Sequence, residues 1–158
     1  MRKLSLSEYA SIAEIIAAAV IIVSLGYVGV QIDQNTRALQ QGTYQNINEV
    51  LGQGDLLLAS DPELDRIVAL AESDDSQLTD RERSRFGRYA ITRIAMWEYT
   101  FDSYQAGAFS ERQFDSFANY FGHVICAPGY RRFWEDNKYV TGEDFQAFVQ
   151  GIIGNCSQ

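Results

Sequence analysis

Ile15-Ile-Ala-Ala-Ala-Val-Ile-Ile-Val-Ser-Leu-Gly-Tyr-Val-Gly-Val30 decides how this chain is read. No charged residue interrupts it, and Ile12 and Ile32 extend it to residues 12–32, broken only by Glu14 near its start. At about 1.5 Å per residue, such a helix is about 31 Å long, close to the roughly 30 Å hydrocarbon core of a bilayer. The run therefore predicts a transmembrane helix. Two other readings compete. A secretory signal peptide would use Arg2 and Lys3 as its charged start and Ser24-Leu25-Gly26 as a small-x-small cleavage site. The polar stretch before the run is long for that, and apolar residues continue past the cut. A core helix of a soluble protein would need apolar neighbours on all sides, more than the rest of a 158-residue chain easily supplies, unless copies of the chain surround it.

The composition of the run bears on assembly. Ala10, Ala13 and Ala17 share a helix face, and Ser24, Gly26 and Gly29 lie further along. Small residues let helix backbones approach closely in lipid, where packing drives association. Glu14 sits about one turn inside the apolar boundary, where a carboxylate reaches the interface or meets a neighbouring helix. These seven residues, Ala10, Ala13, Glu14, Ala17, Ser24, Gly26 and Gly29, are the expected oligomer contacts. A ring of Glu14 carboxylates lining a pore is the sharper alternative.

Arg2 and Lys3 flank one end of the run, and Asp33 and Arg37 the other. This small basic excess favours a cytoplasmic N-terminus in a single-pass protein, in a bacterium one of the inner membrane. The domain would then face an oxidising space, where Cys126 and Cys156 can pair. In the opposite orientation they are two thiols.

The chain holds 13 basic and 21 acidic residues, net charge −8. That balance argues against nucleic acid, which needs a basic footprint. The expected partners are the lipid bilayer and either a second copy of the chain or another membrane protein.

The rest reads as helical throughout. Residues 33–59 extend the first helix as a connector, with Leu39, Ile47, Val50, Leu51, Gly54, Leu57 and Leu58 as a loose stripe. Gly42, Gly52 and Gly54 predict a kink there. Residues 60–158 form the domain, and residues 1–11 an N-terminal flank. Asp61-Pro62-Glu63 opens a short helix that buries Leu64, Ile67, Val68 and Ala71. Thr79 and Glu82 make a capping box for the longest domain helix, whose stripe is Phe86, Tyr89, Ala90, Ile94, Trp97, Phe101 and Tyr104. Ser110 and Gln113 repeat the box ahead of Phe114, Phe117, Phe121 and Ile125. Pro128 starts a further helix bearing Tyr130, Phe133 and Trp134. Thr141 with Asp144 resembles a third cap, before Phe145, Phe148, Val149, Ile152 and Ile153. The fold class expected is all-α: one N-terminal transmembrane helix, then a small antiparallel helical bundle. Its core is aromatic-rich, in keeping with 13% Phe, Trp and Tyr.

No constellation points to chemistry. His123 and Cys126 face the same way, but a structural zinc site needs four ligands and a catalytic one usually three, and His123 is the single histidine. Glu98 and Asp102 lie one turn apart without the Glu-x-x-His pattern of metal-binding bundles, and Arg93 is placed to pair with Glu98. No catalytic residue, cofactor or metal is expected. Arg81, Arg83, Arg85 and Arg88 form a basic run, of which Arg81, Arg85 and Arg88 share a face that would serve as a docking patch for an acidic partner or lipid headgroups.

Gln31-Ile-Asp-Gln-Asn-Thr-Arg-Ala38 follows the apolar helix, and Ser60-Asp-Pro-Glu-Leu64, Trp97-Glu98, Phe133-Trp134-Glu135 and Phe145-x-x-Phe148-Val149 come after it. With these motifs the chain resembles an uncharacterised family of small bacterial membrane proteins with one N-terminal transmembrane helix and a helical domain. The resemblance implies an anchor and a helical domain, and no assigned activity. Similar proteins tend to carry a basic residue where Asp33 stands here, which weakens the orientation signal. The function expected is a self-associating scaffold or accessory subunit. A small-ligand-binding or enzymatic domain, with its site between aromatic helices, is the alternative.

Overall fold

The computed structural model describes residues 5–156. Arg2 and Lys3, on which the orientation reading leans, lie outside them. The chain is all-helical, 89% helix with no strand among the described residues. It carries α1 (Leu6–Ser60), α2 (Pro62–Ser73), α3 (Asp80–Gln105), α4 (Glu111–Ile125), α5 (Pro128–Asn137) and α6 (Glu143–Ile153), with single 3-10 turns at Asp75–Gln77 and Lys138–Val140. The backbone divides into two compact units, one up to Leu39 and one from Gln40 onward.

The first unit is the apolar part of α1. Ser5 begins it, its backbone N–H donating to Glu8 Oε2 at 2.7 Å while its hydroxyl donates to the same oxygen at 2.9 Å. This reciprocal cap, unnoticed in the sequence, starts the helix well before Ile12. The unit contains a stretch of mean hydropathy 2.3 with none of it buried, long and apolar enough to cross a membrane. Ile15, Ile22, Val23 and Leu25 are all open to the surroundings.

The second unit is built on caps and aromatic packing. Asp61 accepts the Leu64 N–H at 3.0 Å, and Pro62 occupies the first turn of α2, where a missing N–H costs nothing. Thr79 and Glu82 form the reciprocal box at the head of α3. At α4 the Gln113 carbonyl accepts from the Ser110 N–H at 3.4 Å and from its hydroxyl at 2.5 Å. The third cap does not form as the sequence suggests. Thr141 Oγ1 donates back to the Lys138 carbonyl at 2.7 Å, and Gly142 occupies the cap position of α6. Between Gln40 and Ser60 the helix runs unbroken through Gly42, Gly52 and Gly54. There, Ile47 joins the core and Leu51 and Leu58 pack against it, while Val50 and Leu57 stay exposed.

Helix α2 packs on α3 and α5, and α3 also meets α4 and α6. Trp97, Phe121, Tyr130, Trp134 and Phe145, all essentially inaccessible, fill the space between them. Ring centroids lie 4.5 Å apart for Trp97–Phe121 and 5.8 Å for Trp134–Phe145. Tyr104 stacks on Phe114 at 4.1 Å. Such pairs each contribute about 0.5–1.5 kcal/mol beyond the area they bury. Gly129 lets α5 press against α2, since a Cβ there would stand 2.7 Å from the Ala71 carbonyl oxygen.

An ion-pair cluster and a disulfide bind the unit further. Asp75, itself buried, accepts from Arg83 Nη1 at 3.3 Å and Arg132 Nε at 2.8 Å, joining the turn after α2 to α3 and α5. Cys126 and Cys156 are disulfide-bonded with Cα atoms 5.6 Å apart, tying the end of α4 to the segment after α6.

Candidate functional site

The most unusual polar group of the second unit is Arg93. On α3 it stands four residues after Tyr89 and four before Trp97, within the apolar stripe, and its side chain is only 7% exposed. Nη2 donates to Tyr120 Oη at 3.2 Å. The guanidinium carbon lies 5.9 Å from the centroid of the Tyr89 ring, within cation–π range. Nη1 is 4.0 Å from Asp55 Oδ1, too far for a hydrogen bond, and Nε and Nη1 have no hydrogen-bond partner. Gly54 makes room for this side chain, since a Cβ there would come 2.9 Å from Nη1.

Beside this cation is an open cavity of about 440 Å³, lined by Glu72 of α2, Tyr120, His123 and Val124 of α4, and the turn Cys126–Ala127–Pro128. Desolvation raises the Glu72 carboxyl above its ordinary pKa, opposed by the positive charge of Arg93 and, less strongly, by His123. Burial likewise pushes the Tyr130 phenol far upward. A neighbouring hollow between Asp75, Arg83 and Arg132 holds only about 50 Å³, and its arginines are already committed to Asp75.

The expected Arg93–Glu98 ion pair does not form. Arg93 turns toward α4 and α1, and Glu98 Oε1 instead accepts the Gly142 N–H at 2.6 Å. His123 and Cys126 share the cavity, with the sulfur of Cys126 taken up by the disulfide. No group of three or more metal-binding side chains occurs among the described residues.

The basic face is divided. Arg85 is ion-paired with Asp61 at the cap of α2. Arg88 Nη1 donates to Ser84 Oγ at 3.2 Å and stays exposed, as does Arg81. Of Arg81, Arg85 and Arg88, therefore, only the first and last carry charge outward with no acidic partner among the described residues.

In the first unit Ala10, Ala13, Glu14, Ala17, Ser24, Gly26 and Gly29 are all exposed. Helical periodicity puts Ala10, Ala13, Ala17 and Ser24 on one side, Glu14 at its margin, and Gly26 and Gly29 on the other. Ser24 Oγ donates to the Val20 carbonyl at 2.8 Å, so its hydroxyl is satisfied within the helix. A Cβ at Gly26 or Gly29 would meet nothing within 4 Å.

Compared with family models, curated proteins and solved structures, the chain matches none.

Arg93 and its cavity were missed in the sequence. The signal was present: a charged residue occupies a stripe position where Tyr89, Ala90 and Trp97 mark the buried face. An arginine inside an apolar stripe is a buried cation that needs a partner.

Proposed function

We propose that the chain is a single-span protein of a bacterial inner membrane, with residues 12–32 crossing the bilayer and a helical domain displayed on the non-cytoplasmic side. In this reading it acts as a self-associating scaffold or as an accessory subunit of another membrane protein. The observation that carries it is the apolar stretch of mean hydropathy 2.3, none of it buried by the rest of the chain. In water such a surface would be a large aggregation liability, whereas in lipid it is at home. The Cys126–Cys156 bond supports the sidedness, because disulfides persist in oxidising compartments. The Ala10, Ala13, Ala17 and Ser24 face supports self-association, since it lets a second helix come close. The resemblance to small bacterial membrane proteins with this layout points the same way.

The test is the native mass of protein extracted from its own membranes in mild detergent. A multiple of 17.8 kDa above one, reduced by Ala13→Leu with Ala17→Leu, is expected for a homo-oligomer. A mass that requires a second polypeptide makes it an accessory subunit. A monomer without partner overturns both. In intact cells, Cys126 and Cys156 of the reduced protein are expected to react with a membrane-impermeant maleimide. Reaction only after lysis would invert the orientation.

A further inference from the structure

Anchoring and assembly leave Arg93 without a role. A buried guanidinium with Nε and Nη1 unpartnered and its nearest carboxylate 4.0 Å away is under-neutralised, which is a costly arrangement to keep for packing alone. Its one good contact leads outward. Tyr120 Oη accepts from Nη2, so the proton of that hydroxyl is left to donate elsewhere, and the cation behind it strengthens the donation. Tyr120 is half-exposed and lines the 440 Å³ cavity together with His123, whose ring supplies a second donor. Glu72 stands on the α2 side of the same cavity, and Val124, Ala127 and Pro128 add apolar wall between these groups. The volume suits a small organic ligand.

We propose that this cavity binds a small zwitterion of the amino-acid class, its carboxylate on the Tyr120 hydroxyl and His123 and its ammonium on Glu72. The buried Arg93 supplies the positive potential for the carboxylate without touching it. A phosphate-like dianion fits less well, because Glu72 would repel it. The inference does not depend on the membrane reading.

The test uses the full chain in nanodiscs, with L-amino acids added singly and with propionate and propylamine as the two half-ligands. Calorimetry is expected to show binding of at least one amino acid at least tenfold tighter than either half-ligand. Tyr120→Phe, which removes only the hydroxyl, and Glu72→Gln are each expected to weaken it at least tenfold. Tyr99→Phe, an exposed tyrosine away from the cavity, is expected to leave it unchanged. Absence of binding by every amino acid overturns the proposal. So does propionate binding as tightly as the amino acids, or binding that survives both Tyr120→Phe and Glu72→Gln.

Discussion

Gly129→Ala tests the packing of the domain at its tightest point. The added Cβ would stand 2.7 Å from the Ala71 carbonyl oxygen, 2.8 Å from its Cβ and 3.0 Å from its Cα. All three belong to one backbone position of α2, so no flexible side chain can swing aside. Ordinary contact begins near 3.4 Å, and α5 must therefore retreat from α2 by about 0.7 Å, the difference between that distance and 2.7 Å. Ala71 is fully buried and Tyr130, next to Gly129, is nearly so; their shared contacts loosen together. Overpacking typically costs 1–3 kcal/mol, and a clash with rigid backbone belongs at the top of that range, about 3 kcal/mol. For a domain of this size that is roughly 10 °C in Tm. Trp97 and Trp134, the two tryptophans of the chain, are both buried in the domain, so urea unfolding followed by tryptophan fluorescence reads this unit alone. The same substitution at Gly42, where a Cβ meets nothing within 4 Å, is expected to gain about 0.5–1 kcal/mol by helix propensity. A loss below about 1 kcal/mol at Gly129 would refute the close approach of α5 to α2.

Three further outcomes are expected. Reducing the Cys126–Cys156 bond, which closes a loop of sequence separation 30, is expected to cost about 3–4 kcal/mol on the loop-entropy account, read as a lower urea midpoint in reductant. Glu82 is held at about 2, below its ordinary 4.5, first by the Thr79 hydroxyl, then by Arg66 and the Thr79 N–H. A lowered carboxyl contributes stability above pH 4.5 that disappears as pH falls toward 2, so Glu82→Gln should flatten the acid limb of a stability–pH curve; an unchanged limb would dismiss this cap as an acid-sensitive element. At Gly54 an added Cβ would stand 2.9 Å from Arg93 Nη1, the far end of a flexible side chain that can shift, so Gly54→Ala is expected to change stability by less than about 1 kcal/mol in urea unfolding, the displaced guanidinium offsetting the gain in helix propensity; a loss as large as that at Gly129 would refute this.

The local grammar of the chain was legible. Asp61-Pro62, Thr79 with Glu82, and Pro128 each fix a helix start within four residues, and the helices begin where those residues say. Leu64, Ile67, Val68 and Ala71, at helical spacing, are all buried as expected. What escaped depends on residues far apart in sequence. Glu98 has a neighbourly partner in Arg93 by helical spacing, yet it accepts a backbone N–H 44 residues away, because the approach of α6 leaves the Gly142 amide in need of an acceptor. Arg93 is drawn instead to Tyr120, 27 residues on. Arg81, Arg85 and Arg88 share a face by periodicity, but the α2 cap claims Arg85, which periodicity alone does not reveal. The glycines of α1 lower helix propensity without breaking the helix, since Ile47, Leu51 and Leu58 anchor it to the core and tertiary packing overrides an intrinsic preference.

The bond between Cys126 and Cys156 also has a mechanical meaning. Tension applied at Cys156 does not travel through α6 and α5 in turn; it is handed directly to the end of α4. The intervening chain, about 100 Å when drawn out fully, is hidden length that an optical trap would release only after reduction. Helices α5 and α6, with Trp134 and Phe145 between them, are in this sense shielded from load, and a stretched molecule would give way first at α2, α3 and α4.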